Sequence, residues 1–402
     1  MTVASLPRMA RADRGGPRVT WVGMYLDPLG RSPDELLAGP WRNFGRTAAA
    51  AQRAGAEVSL VQAGWSDAER NIEGVRCSFV REAGPPFIRL PGGKTIRRRP
   101  RRLLERVAAH HPELLHFEGL LFPLELRALA RALPGVPILA QDHATRCPRG
   151  WRRWWYRWGF TSLAAVAFTA RAQAAPFVQA GVLSPTLPVF EVIEGSTLFT
   201  PGDQQAARAA AGLDGDPCLL WVGRLDPNKD PLTLLDAVAR TASDLPSLRL
   251  HMCFQDATLL EAVRARIASE AALSGRVRLV GAVPYAEIER YFRAADFLVQ
   301  ASHVEGSGYA LIEALACGTT PLVTDIPSFR RLTGEGEFGG LAPVGDPQAF
   351  AATIRAWSGR DRATLRRRAR EHFERSLSFD AIGAQLRAAY DRVARRSGEE
   401  PR

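Results

Sequence analysis

The stretch Phe297–Asp325 (FLVQASHVEGSGYALIEALACGTTPLVTD) leaves the chain little choice of fold. It opens on a short apolar run, Phe297–Val299, of strand length. A small, polar, glycine-bearing turn follows over Ser302–Gly308, then helical periodicity over Tyr309–Ala316. Gly318 stops that helix, and Pro321–Val323 begins a second apolar run. Strands without polar alternation, joined through a helix, belong in a parallel sheet covered on both faces. Two carboxylates bracket the helix start, Glu305 in the turn and Glu313 inside the helix.

The same alternation runs along the rest of the chain. Strands are expected at Arg18–Gly23, Glu57–Gln62, Leu114–Phe117, Val136–Ala140, Leu163–Phe168 and Thr186–Ile193, with helices at Trp41–Ala54, Arg99–His110, Pro123–Leu133 and Ala170–Ala180. Met24–Pro40 reads as a loop. A turn-prone segment, Gly195–Asp216, separates this half from a second, with strands at Cys218–Val222, Leu248–Phe254, Val277–Val280, Phe297–Gln300 and Thr320–Thr324. A chain of 402 residues is also too long for one ordinary core. The expectation is two doubly wound α/β domains, residues 18–195 and 196–380, facing each other across a cleft, after a loose leader at 1–17. No apolar stretch approaches the ~20 residues that span a bilayer. The five scattered cysteines contain no CxxC pair, which argues against a zinc site and for reduced thiols in a cytoplasmic protein.

The net charge of +11 is carried almost wholly by arginine, because Lys94 and Lys229 are the only lysines. A lysine kept in such a chain hints at a need for a compact ammonium. Lys229 lies in Gly223–Pro231 (GRLDPNKDP), directly after the first strand of the second half. Arg224 and Lys229 thus leave one strand end together, beside a helix start, where phosphate oxygens bind readily. An isolated pair of this kind also occurs as a solvated basic loop. In the opening stretch, Gly306 and Gly308 let a ligand approach the amides at the helix N-terminus. A diphosphate fits there, while Glu305 and Glu313 suit hydroxyl groups. Glu313 stands roughly 8 Å deeper along the helix, so the two can address different sugar rings.

E-G-x-G-x4-E-A-x-A-C-G over Glu305–Gly318, preceded by G-R-L-x3-K over Gly223–Lys229, resembles the signature of the retaining glycosyltransferases of family 4, which have the GT-B fold. The resemblance implies two Rossmann-like domains, with a C-terminal helix over 381–402 crossing back to the first. It implies transfer of a hexosyl or pentosyl group from a nucleotide-diphosphate sugar to an acceptor, a glycan, lipid-linked or small molecule. By the same resemblance, Arg224 and Lys229 clamp the diphosphate, Glu313 binds the ribose, and Glu305 faces the donor sugar. The backbone from Gly306 through Ser307 and Gly308 to Tyr309 touches the distal phosphate or sugar. His143, at the end of Ile138–His143 (ILAQDH), meets the sugar or the acceptor. No metal and no cofactor beyond the donor is implied, since Arg224 and Lys229 neutralise the leaving group.

Three departures stand out. Met24–Gly30 lacks the family's paired glycines, and Asp230 replaces the glycine after the phosphate lysine, adding a carboxylate near the diphosphate. Val192–Phe199 (VIEGSTLF) keeps only the glycine and the phenylalanine of the family's interdomain run, so little contact is expected from it.

Trp151–Phe160 (WRRWWYRWGF) has three readings: a stacking platform, an interfacial helix at an anionic membrane, or a helix packed on the sheet with arginines outward. The run Arg97–Arg102 favours the membrane, giving a peripheral contact at its inner face. Lys94 is an acceptor-side loop candidate. Competing functions are a GT-B-like nucleotide-sugar hydrolase, isomerase or binder, and a basic nucleic-acid-binding protein. Arginine-rich composition accounts for the charge without nucleic acid, and no nucleic-acid-binding module is recognised.

Overall fold

The computed structural model describes residues 15–39, 41–84, 87–89, 95–97 and 99–399. Most of the expected leader, and Lys94, lie outside these residues. The strands in chain order are β1 (Arg18–Gly23), β2 (Glu57–Ala63), β3 (Ala68–Ile72), β4 (Val75–Val80), β5 (Phe87–Arg89), β6 (Thr95–Arg97), β7 (Leu114–Glu118), β8 (Ile138–Gln141), β9 (Ala165–Phe168) and β10 (Val189–Glu191). The second half adds β11 (Cys218–Gly223), β12 (Arg249–Phe254), β13 (Val277–Gly281), β14 (Phe297–Gln300), β15 (Thr320–Thr324) and β16 (Gly340–Ala342).

They form two Rossmann-like sheets, as the α/β alternation requires. The first runs β10-β9-β8-β7-β1-β2-β4-β3 and is parallel except for β3 at its edge; the second runs β13-β12-β11-β14-β15-β16 and is parallel throughout. Strand order reverses between β1 and β7 in one sheet and between β11 and β14 in the other. A doubly wound sheet offers its ligand crevice at the carboxyl end of such a reversal. β7 ends at Glu118, β11 at Gly223 and β14 at Gln300, so both crevices open on the space where the two halves meet.

Several elements differ from the sequence expectation. Within the expected loop Met24–Pro40, Pro33–Ala38 is a helix, fixed by a capping box in which Ser32 and Glu35 satisfy each other's backbone amides. β3 and β4 form an antiparallel hairpin at the sheet edge. Proline divides the expected helix at 170–180: a 3₁₀ turn covers Arg171–Ala174, and a short helix with Pro176 in its first turn covers Ala175–Gln179.

The last helix, Phe379–Glu399, packs on the helix Arg42–Arg53 of the first half. That second helix presents Ala48–Ala51, all buried, and Gly383 makes the close approach possible. A Cβ at Gly383 would lie 2.3 Å from the Ala50 carbonyl oxygen.

Candidate active site

β11 delivers the loop Gly223–Pro231, and β14 delivers the loop Ser302–Gly308. Hydrogen bonds join them directly: the His303 amide donates to the Asn228 carbonyl at 2.8 Å, and Asn228 Nδ2 to the Val304 carbonyl at 2.9 Å. Asp226 shapes the first loop, accepting from the Lys229 amide at 2.9 Å and pairing with Arg224 Nε at 3.1 Å. Lys229 and Glu305, both largely buried, form an ion pair across the two loops. Arg224 stays mostly exposed at the rim.

The helix Tyr309–Ala316 starts at Gly308, whose φ of 63° falls in the left-handed region. A Cβ there would also meet Phe329 Cε1 at 2.6 Å, so glycine is required twice over. The Leu311 amide donates to the Gly308 carbonyl at 2.9 Å, so the Tyr309 and Ala310 amides precede the hydrogen bonds of the helix, and both residues line the cleft. Gly306 lets the two halves touch, because a Cβ there would lie 2.8 Å from that of Ala144 in the first half. Ser307 bonds to Thr169 of the first half, Oγ to Oγ1 at 2.8 Å, and Gln173 Nε2 donates to the Glu305 carbonyl at 3.0 Å.

Glu313 sits on the buried face of the helix. It accepts from the Tyr285 hydroxyl at 3.0 Å. Burial pushes its carboxyl up to about 7, against the pull of that hydrogen bond and of the Arg42 charge. Arg42 comes from the first half and stacks over the Tyr285 ring, 3.4 Å from its centroid.

The sequence candidates therefore converge. Arg224, Lys229, Glu305, Gly306, Ser307, Gly308, Tyr309 and Glu313 all line one cleft of about 520 Å³. His143 lies in an adjoining cavity of about 340 Å³, which shares Glu194 and Tyr309 with the cleft. The acceptor-side loop without paired glycines supplies Met24 and Tyr25 to that cavity, beside Trp41, Phe44, Leu121 and Phe122. Asp230 behaves differently from the expectation. Its carboxylate caps the helix Pro231–Arg240 through Thr233 and pairs with His303 at 3.0 Å, rather than lining the cleft.

His143 carries a carboxylate at each ring nitrogen, Glu118 at Nε2 and Glu194 at Nδ1. Burial alone would lower its pKa, but Glu194 and then Glu118 reverse the sign and hold it well above the ordinary histidine value. The next residue, Ala144, adopts a φ of 58°, strain of a kind that persists only when its surroundings impose it. Glu118 in turn lies 3.3 Å from Nε2 of His116, and His116 Nδ1 lies 2.7 Å from the Tyr390 hydroxyl on the last helix. Burial lowers the His116 pKa to about 4, so this ring is neutral. Its Nε2 and Oε1 of Glu118 face each other at 3.3 Å without a hydrogen bond between them.

Sequence reasoning missed Arg42, Glu118, Glu194, Tyr285 and Tyr390. Glu194 belongs to the interdomain run from which little was expected. Glu118 was detectable as a carboxylate ending a buried strand at the switch point; the others carry no local signal.

Two open sheets with their crevices opposed define a GT-B-type architecture, and family comparison agrees. The description "Glycosyl transferases group 1" matches residues 203–372 and "Glycosyltransferase Family 4" matches residues 40–185. The chain belongs to the family 4, group 1 glycosyltransferases. Among curated relatives, a D-inositol 3-phosphate glycosyltransferase of Geodermatophilus obscurus is 36% identical over 49% of this chain and 46% of its own length. One from Mycolicibacterium smegmatis is 32% identical over 50% and 49%. The chain thus spans about half the length of the curated relatives it matches. Solved structures share the fold at low identity. A glycosyltransferase from Rickettsia africae superposes with a TM-score of 0.69 at 13% identity, covering 94% of this chain and 98% of that one. The Anabaena protein HepE in complex with UDP gives 0.67 at 17%, covering 93% and 100%.

Proposed function

We propose that the protein transfers a sugar from a nucleoside-diphosphate sugar to an acceptor hydroxyl, with retention at the anomeric carbon. The observation that carries this reading is the convergence of Arg224, Lys229, the first-turn amides of the Tyr309 helix and Glu313 on one cleft. The cations and amides suit a diphosphate, and Glu313 suits the ribose hydroxyls. UDP in the HepE structure supports the donor class.

The Lys229–Glu305 pair supplies a coupling. An arriving diphosphate competes for the Lys229 ammonium, which frees Glu305 to accept from the hydroxyls of the sugar. As the glycosidic bond breaks, Arg224 and Lys229 neutralise the departing diphosphate without a metal. Electrostatic stabilisation of developing charge is commonly the largest catalytic contribution. His143, charged between its two carboxylates, stands where the donor sugar and the acceptor cavity adjoin.

The acceptor is a glycan, a lipid-linked sugar or a smaller molecule with an apolar face. Among the described residues, the cavity beside His143 is lined by aromatic and aliphatic side chains, the amides of Asn43 and Gln62, and Glu118 and Glu194, with no cation other than His143. That lining favours an uncharged acceptor surface over a phosphorylated one such as the relatives' names contain.

Thermal denaturation with nucleoside diphosphates and their sugars tests the donor site. A ligand at 100 times its dissociation constant stabilises by about 2.7 kcal/mol. Donor turnover with and without acceptors then separates transfer from hydrolysis. No stabilisation by any nucleoside diphosphate would sink the reading.

A further inference from the structure

We propose that the helix Arg152–Phe160, extended by Trp151, is a docking surface for an anionic lipid bilayer. Trp151, Trp154, Trp155 and Trp158 recur at i, i+3, i+4 and i+7, the spacing that ordinarily marks the face a helix turns to its core. Here that stripe faces solvent, with exposures of 72, 75, 50 and 37%. The inward face is Tyr156, Gly159 and Phe160 instead. A Cβ at Gly159 would fall 2.4 Å from Pro123 Cβ, so the helix lies flush on its neighbour Pro123–Ala132 and has no room to turn the indoles inward. Four of the nine tryptophans of the chain thus form one contiguous exposed stripe, the kind of patch that marks an interaction site.

The charge around the stripe selects the partner. From His143 through Phe190 the sequence contains no aspartate or glutamate, while Arg146, Arg149, Arg152, Arg153 and Arg157 crowd its first part. Arg127 and Arg131 of the neighbouring helix sit over the Trp158 ring at 4.9 and 5.8 Å. Indoles ringed by cations match the bilayer interface, where amphipathic rings settle at headgroup depth and arginines meet lipid phosphates. Nucleic acid fits less well. Trp155 and Trp158 meet edge to face at 89°, so they do not offer the parallel faces on which successive bases stack. The helix begins nine residues after His143, in the half that holds the acceptor cavity, so docking would bring that cavity's side of the molecule to the lipid surface. The surface itself does not depend on the donor reading.

The test uses the full chain with vesicles of phosphatidylcholine alone and of phosphatidylcholine with phosphatidylglycerol at about 3:1, since anionic lipid is what should attract the arginines. The expected result is co-sedimentation with the anionic vesicles, a blue shift of tryptophan emission, and weakening by salt. A Trp151→Ser/Trp154→Ser/Trp158→Ser variant should lose binding at least tenfold, by the scale of lost interfacial burial, while its melting temperature and its thermal shift with UDP stay unchanged. Arg152→Gln/Arg153→Gln/Arg157→Gln should abolish the preference for anionic lipid. Three results would overturn the proposal: no binding to anionic vesicles, tighter binding of a single-stranded oligonucleotide lost in the same variants, or a dimer in light scattering that the tryptophan variant dissociates. Loss of the UDP shift in the wild-type chain would remove the donor site and leave the lipid result standing.

Discussion

The proposed donor cleft and the proposed acceptor cavity share a wall but are built on different plans. Apart from Ala144 and Glu194, the residues lining the cleft come from the second half, within residues 222–313: two loops and one helix start, with Cys253–Gln255 and Val283–Ile288 beside them. The cavity draws on β1, the Arg42 helix, β7, the loop after β8 and the interdomain run, and the Tyr390–His116–Glu118 chain reaches it from the last helix. The cleft is a device local to the second half, its two loops joined by their own hydrogen bonds. The cavity exists only after distant segments have assembled, so substitutions there can act from far away.

The largest expected effect tests the local device. Lys229→Ala should lower donor turnover by about 10²–10³-fold, the range for losing one charge-stabilising donor, with the melting temperature preserved. Steady-state kinetics decide it, and unchanged turnover would remove the cleft from the chemistry. On the other side, His143→Ala should cost roughly 10² in turnover, at the low end for a positioned proton-transfer or charge-bearing group, with nucleoside-diphosphate affinity intact by calorimetry. A parallel loss of that affinity would mean that the two regions are one site rather than two.

Glu313 offers a sharper probe through pH. Its carboxyl is raised from 4.5 to about 7, and under the proposed reading the form that would accept from the ribose hydroxyls is the ionised one. Donor affinity should therefore climb as pH rises through that value, and Glu313→Gln should flatten the profile in titration calorimetry. The sign for stability is opposite. The folded state holds this proton more tightly than the unfolded chain, so the wild type should lose stability from about pH 4.5 to about pH 7, a loss that the glutamine variant lacks. A profile unchanged by the substitution would separate Glu313 from the ribose.

Two smaller effects close the comparison. Gly308→Ala should destabilise by about 1–2 kcal/mol, because alanine is strained at this φ, and by more if Phe329 cannot yield. Tyr390→Phe should cost about 1 kcal/mol for one buried hydrogen bond. It should also lower turnover several-fold without changing donor affinity, if His116 and Glu118 transmit the loss to His143. An effect on melting temperature alone would make Tyr390 a purely structural residue.

Much of the fold was legible because apolar runs and helical periodicity are local properties of the chain. The five expected strands of the second half all form, within a residue or so of their expected ends. The missed elements have weak local signals: the Pro33–Ala38 helix is only six residues long and rests on one capping box, and the hairpin strand β3 has little apolar content. Asp230 shows the opposite failure. Its position beside the phosphate lysine suggested a role in the cleft, but an aspartate one residue before a helix is claimed first by the exposed amides of that helix.

Sequence alone determined the alternation that makes two doubly wound sheets, and the placement of Arg224, Lys229, Glu305 and Glu313 at strand ends and at one helix start. Each of these follows from spacing over a few residues. Tertiary structure decided the rest: that Lys229 closes on Glu305, that Arg42 and Tyr285 border Glu313, that Glu118 and Glu194 hold His143 charged, and that the four indoles of the Trp151 segment face outward. Those arrangements depend on which sheet edge, helix face or domain stands opposite, and that is settled only when segments hundreds of residues apart pack together.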